Sequence, residues 1–299
     1  MHKTILECSV ITPMFLKGAN TRVELRPSSL KGVLRYFYRA LSSSSSIEKL
    51  REEEEKYFGS SNPDIGASKI RLNIKDVPDK SIDKERLIYT DNHNYKEECY
   101  LTDKKFSIIA SSHDKSQFYT NIIILTLLLG GLGKRSRRGR GSIQVLSCTD
   151  DEIPILNERD SFIEQIQLLL EDLFPSKYIS LNNKIILNNS NNLCINKKYP
   201  YVKEIEIGNE YKSWKSILEN IDSTSHEYRK KSGAYCLGYA GNGEEKFASP
   251  IYITVIKLMN GYYPLITTLN TVMNKKWDYI CEKIQNDYKE SILRGNGNV

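Results

Sequence analysis

Apolar residues recur along this chain in two rhythms, a period near two and a period near 3.6. The run TILECSVITPMF (4–15) is rich in β-branched residues and partly alternates. It predicts a first strand that frays into a loop at Pro13 and Gly18. Arg26-Pro27-Ser28-Ser29 then opens a helix with a serine as N-cap. In SLKGVLRYFYRAL (29–41), Leu30, Val33, Leu34, Phe37 and Leu41 share one helical face. SSSSS (42–46) reads as a low-complexity linker, and IEKLREEEEKYFG (47–59) as a helix with a solvated acidic face. KIRLNIKDV (69–77) alternates as a strand. Residues 78–120 are polar, carry the strand-like pieces RLIYT and KFSIIAS, and suit a mobile insertion. NIIILTLLLGGLG (121–133) predicts a buried helix ending at a glycine pair, and SIQVLS (142–147) a short strand.

The pattern restarts after Asp150. DSFIEQIQLLLEDLF (160–174) is an amphipathic helix, and KIILN and NLCIN are short strand candidates in an Asn-rich region. WKSILENIDSTSHEYRKKS (214–232) is a polar helical segment, in one piece or two. FASPIYITVIKLMNGYYPLITTL (247–269) reads as a hairpin about Asn260-Gly261, and KWDYICEKIQNDYKESIL (276–293) as a closing helix. Each half mixes a few strands with helices. That predicts two α+β units, residues 1–150 and residues 151–299.

Charge sharpens this picture. Of 299 residues the first 150 hold 25 Lys+Arg against 18 Asp+Glu, while the rest hold 18 against 19. The whole excess lies in the first half, which points to a polyanion surface there. No apolar run approaches the ~20 residues of a membrane span, and the N-terminus shows no secretory signal, so a cytoplasmic location is expected. Six cysteines without a C-x-x-C pair and four histidines without ligand spacing predict reduced thiols and no metal site. The run Glu52 to Glu55 does not change this, because consecutive helical residues fan around the axis. No cofactor is expected.

The strongest chemical signal is GGLGKRSRRGRGS (130–142). Gly130, Gly131, Gly133, Gly139 and Gly141 are interleaved with Lys134, Arg135, Arg137, Arg138 and Arg140. Five cations repel one another, and glycine adds the cost of ordering a free backbone. An anion would hold such a loop together. A mononucleotide loop fails, because Arg135 stands where Ser or Thr should follow Gly133-Lys134. A dinucleotide fingerprint fails, because Ser136 replaces its third glycine. The remaining expectation is a loop poorly ordered alone that orders on a phosphate backbone. On the helix at 29–41, Lys31, Arg35 and Arg39 form a second, basic face with Tyr38 beside it. The first turn holds no acid, which leaves its N–H groups to an outside anion. Stripe and loop are expected to line one nucleic-acid cleft.

The segments ITPMFLKGAN (11–20), LRPSSLKGVLRYFYRAL (25–41), EEEEKYFGSS (52–61), GGLGKRSRRGRGS (130–142) and FASPIYI (247–253) resemble, in order, the RAMP superfamily of CRISPR-associated RNA-binding proteins. Within it they are most similar to the family of first-numbered subunits of the type III-B (Cmr) effector. The resemblance implies an α+β chain of two ferredoxin-like (RRM-like) domains with a glycine-rich basic loop. It implies a subunit without a catalytic residue, beside other Cmr subunits, holding or capturing guide and target RNA near the guide 3′ end in antiviral defence. Lys17 and Arg26 join Lys31, Arg35, Arg39, Lys134, Arg135, Arg137, Arg138 and Arg140 as the expected RNA contacts. Arg140 departs from the family, where an aromatic is usual. Two rival readings stand beside it. One is a metal-independent RNA endonuclease of the RAMP class, with His113-Asp114 as its best catalytic candidate. The other is a pure assembly subunit without RNA contact.

Overall fold

In the computed structural model, residues 1–42, 44, 46–75, 82–90, 94–114, 116–149, 158–188, 199–230, 234–238, 247–259, 261–270 and 279–295 are described. The first half runs β1 (His2–Val10), α1 (Pro27–Ser42), α2 (Ile47–Phe58), β2 (Ile70–Lys75), β3 (Ile82–Arg86), β4 (Lys96–Tyr100), β5 (Lys105–Ser112), α3 (Ser116–Gly130), β6 (Ile143–Cys148). The second runs α4 (Phe162–Leu173), β7 (Tyr178–Leu181), β8 (Lys184–Leu187), β9 (Val202–Ile207), α5 (Trp214–Lys230), β10 (Ile251–Leu258), β11 (Gly261–Leu269), α6 (Tyr279–Leu293). The chain is thus mixed α and β, as its two rhythms predicted.

Among the described residues β2-β5-β1-β6 form one antiparallel sheet, β10-β11-β9-β8-β7 a second, and β3-β4 a separate hairpin. β5 is an inner strand paired with both β1 and β2, so much of the expected insertion at 78–120 is framework. RLIYT is not a strand beyond its first residue, Arg86, where β3 ends. The 247–269 hairpin forms with Leu258 opposite Gly261, although Asn260 itself, like NLCIN, lies outside the described residues.

α3 explains how the halves join. Its NIIILTLLLG core is apolar on every side, which suits a helix buried all round. It packs on α1 and β6 of the first half and on α4 and β10 of the second. The Thr254 hydroxyl of β10 donates to the Leu128 carbonyl at 2.6 Å. One hydrophobic cluster accordingly runs from Leu6 through Leu129 to Leu269. Three local expectations change. α1 starts at Pro27, the favoured first helical position for proline, so Ser28 and Ser29 lie inside its first turn. Within the serine run, expected as a linker, Ser44 is buried, and the Ser46 hydroxyl caps α2 by accepting from the Lys49 amide at 3.0 Å. Cys236 and Cys281, expected as thiols, form a disulfide with Cα atoms 5.2 Å apart.

Candidate nucleic-acid interface

The glycine-rich loop is built into the protein interior. The Leu132 amide donates to the Gly141 carbonyl (2.8 Å), closing the loop, and the Lys134 amide to Phe15 O (2.8 Å). The Gly139 amide donates to Ile253 O of β10 (2.8 Å), and the Gly141 amide to Pro13 O (3.0 Å). Ser136–Arg138 make one turn of 3-10 helix. The expectation of a loop that awaits an anion fails, because these backbone donors already have protein partners. Glycine is required for geometry. At Gly141 (φ +65°) a Cβ would lie 1.8 Å from Leu132 O, and at Gly139 (φ +79°) one would lie 2.7 Å from Leu218 of α5.

The loop cations follow the backbone inward. Arg140 is 0 % exposed and Arg138 6 %, so both side chains are turned into the protein rather than toward its surface. Arg140 forms a fork on Asp222 of α5, which is 2 % exposed; Nη1 donates at 3.1 Å and Nη2 to the second oxygen. The Tyr89 amide (2.7 Å) and Arg135 Nη2 (3.2 Å) donate to the same carboxylate. Arg138 donates to the Tyr288 hydroxyl and to Leu237 O (2.6 Å). Arg137 donates to Ser249 O and lies 4.4 Å from the Tyr252 ring centre and 5.8 Å from that of Tyr36. Lys134 (2.5 Å) and Lys17 (2.8 Å) share the buried Glu97. Burial favours a higher Glu97 pKa, but these two ammonium groups outweigh it and leave the carboxyl below its ordinary value. Arg26 is 3.9 Å from Glu24.

The helical stripe does face an opening. Lys31, Arg35, Arg39 and Arg51 line a cavity of about 830 Å³ with Tyr199, over the buried Glu54 of α2. Arg35 Nε donates to Glu54, Arg39 Nη1 donates to its other oxygen at 2.7 Å, and Arg35 Nη1 reaches Gly59 O at 3.2 Å. Lys31 makes no ion pair among the described residues; burial, then the charge of Arg35, lowers its pKa. Tyr38 is not on this surface. It is buried against Tyr57, Phe58, Phe118 and Phe174. None of the loop residues lines this cavity, so the single cleft expected from stripe and loop divides in two.

Sequence reasoning missed the carboxylates. Asp222 was detectable: Ile217, Leu218 and Ile221 are the buried face of α5, and Asp222 follows Leu218 at i+4. A carboxylate on an apolar face requires a buried cation, and the glycine-rich loop supplies Arg135 and Arg140 to it.

Comparison with known proteins agrees with this architecture. A family model described as RAMP superfamily matches residues 7–144. The CRISPR system Cmr subunit Cmr1-2 of Pyrococcus furiosus is 31% identical over 180 residues, which is 48% of this chain and 96% of that protein. The crystal structure of apo Cmr1 from Pyrococcus furiosus superposes with a TM-score of 0.67 at 18% identity, over 98% of this chain and 97% of that one. A chain of the type III-B Cmr-beta complex bound to cognate target RNA gives 0.62 at 15% identity, over 97% and 99%. At these identities the two structures share the fold.

Proposed function

This chain belongs to the RAMP superfamily as a relative of the Cmr1 subunits, and on that premise we propose that it is a non-catalytic RNA-binding subunit of a type III-B CRISPR effector. It would sit beside other Cmr subunits and hold guide or target RNA near the guide 3′ end. We read residues 1–150 as a ferredoxin-like unit, because its βαββαβ path gives the order β2-β5-β1-β6. Residues 151–299 are a permuted relative, with β8 beside β9 where the last strand would fall. The surface cations of the expected set, Lys31, Arg35, Arg39, Lys134 and Lys17, remain its candidate RNA contacts. Arg138 and Arg140 serve the fold.

The observation that carries this reading is the α1–α2 cavity. It gathers Lys31, Arg35, Arg39 and Arg51 against Glu54 and Glu55, with Lys31 in no ion pair among the described residues. Backbone recognition through such cations suits a protein that leaves sequence reading to base pairing. His113 is exposed after β5 and lines neither of the two cavities described. A general base must reach the phosphate it serves. The test is a salt series of single-stranded RNA titrations. Lys31→Glu should weaken binding and flatten the slope of log K against log salt by about 0.7. Labelled RNA should stay intact with Mg²⁺ or Mn²⁺. An unchanged slope removes the α1–α2 cavity as an RNA site, and cleavage lost in His113→Ala makes the chain an endonuclease.

A further inference from the structure

A second cavity, of about 970 Å³, opens on the other side of the loop. Residues 88–90, α5 and the chain end after α6 surround it, and Arg86, Arg135, Lys212, Arg229, Lys230 and Arg294 line it. Several of these cations are engaged. Arg86 donates to Thr90 O and Asn94 Oδ1, and Arg294 pairs with Glu290 at 2.8 Å. Arg135 and Arg229 differ. Arg135 holds a left-handed backbone, φ +56° and ψ +26°, which a non-glycine residue adopts at a cost and which is a reason to look for function. Its Nη2 makes one 3.2 Å bond to Asp222, and its buried Nε has no hydrogen-bond partner. Asp222 has little left to offer, since Arg140 and the Tyr89 amide already occupy it. Arg229, at the end of α5, has no ion pair among the described residues. Both guanidinium pKa values are lowered, by burial first and then by neighbouring arginines, Arg140 for Arg135 and Arg138 for Arg229. Arg135 and Arg140 therefore share one carboxylate, Arg229 lies within electrostatic reach of it, and Arg135 and Arg229 line the cavity beside Asp222 with donors to spare.

The geometry points to a phosphate-binding site here, in which Arg135 and Arg229 hold one phosphodiester of single-stranded RNA between them. The inference rests on the RNA-binding reading above and adds a contact in the second half of the chain, where net charge gave no hint of one. Guanidinium forks match phosphate oxygens. Glu210, Glu219 and Glu227 also line the cavity and would repel a run of phosphates, which limits the site to one or two. The same carboxylates make an acidic protein segment, with its run of charges, a weaker candidate than a single phosphodiester of RNA backbone.

Arg229→Gln tests the site, because Arg229 is open to solvent as a residue although its guanidinium is partly buried, and its loss should leave the melting temperature nearly unchanged. One unstructured oligoribonucleotide is titrated at several salt concentrations against wild type, Arg229→Gln, Arg229→Lys and Lys31→Glu. Arg229→Gln should weaken binding about tenfold, the worth of one charge-assisted hydrogen bond, and flatten the salt slope by about 0.7. Arg229→Lys should restore the slope while leaving part of the affinity missing, since lysine keeps the charge and loses the fork. Bound RNA should also shield Arg229 from phenylglyoxal. Unchanged affinity and slope in Arg229→Gln, with both lost in Lys31→Glu, overturn this site and leave the RNA-binding reading standing. Absence of salt-dependent binding by wild type overturns both. A variant that binds RNA normally but no longer assembles with neighbouring subunits shows that the cavity takes protein, and overturns the inference.

Discussion

Replacing Asp222 by asparagine should be the most damaging conservative change in this chain. The side chain keeps its size and loses its charge. Asp222 accepts four hydrogen bonds, two from Arg140, one from Arg135 and one from the Tyr89 amide. Arg140 is 0 % exposed, and its Nε already lacks a partner among the described residues. The asparagine amide would offer one oxygen to donors that now use two, and would turn an N–H₂ toward a guanidinium. Removing one partner of a buried ion pair costs about 3–5 kcal/mol, because the other charge stays buried. Domains are stable by only about 5–15 kcal/mol, so the loss removes a large share. At about 2 °C per kcal/mol for a chain of this size, the melting temperature should fall by about 6–10 °C. Urea denaturation of Asp222→Asn, Arg140→Met and the double variant gives the check. The double variant should be less destabilised than the sum of the singles, with a coupling of about 1–3 kcal/mol. If Asp222→Asn stays within about 0.5 kcal/mol of wild type, or the two effects add, the pair is not what joins the loop to α5.

Two further outcomes follow from the same geometry. Gly141→Ala should destabilise the fold by at least about 2 kcal/mol, from the left-handed backbone and the clash with Leu132 O, whereas Gly66→Ala, with φ +73° and open space around it, should cost only about 1 kcal/mol in the same thermal scan. Glu97 has a depressed folded pKa, so its ion pairs contribute above the unfolded carboxylate pKa, about 4.3, and fade as pH falls through the lower folded value. Glu97→Gln should therefore be less stable than wild type at pH 7, and the gap should close below about pH 4 in urea titrations; a gap that persists in acid means the pairs do not stabilise the fold.

The elements with strong rhythm were legible, and the reason for each miss is specific. The apolar face of α1, the apolar run of α3 and the β-rich runs of β10 and β11 about Asn260-Gly261 gave their own identity and burial. β9, VKEIEI, has a burial pattern that alternates imperfectly, with Glu204 and Glu206 half-buried against Lys289 of α6, so its polar residues hid a central strand. The site was legible by composition and misread by location. A cluster of five cations in sequence says that anions are needed; it does not say whether they come from RNA or from Asp222 and Glu97, tens of residues away. The α1 stripe, set by helical spacing, did reach an opening, while the partner that half neutralises it, Glu54, lay within the acidic run read as solvated.

The separation of Arg140 from Asp222 also has a meaning in time. The two are 82 residues apart, so synthesis at about 5–20 residues per second leaves roughly 4–16 s between their appearances. Throughout that interval the nascent chain displays the glycine-rich loop with its arginines uncompensated and α3 without β10 to cover it. Newly made chain is then at its stickiest, toward nucleic acid through the loop and toward other chains through the helix. Protection of the growing chain, by the ribosome surface or by a chaperone, would matter most between the emergence of α3 and that of α5. Variants that slow translation in this window should lower the yield of folded protein while leaving the finished molecule unchanged.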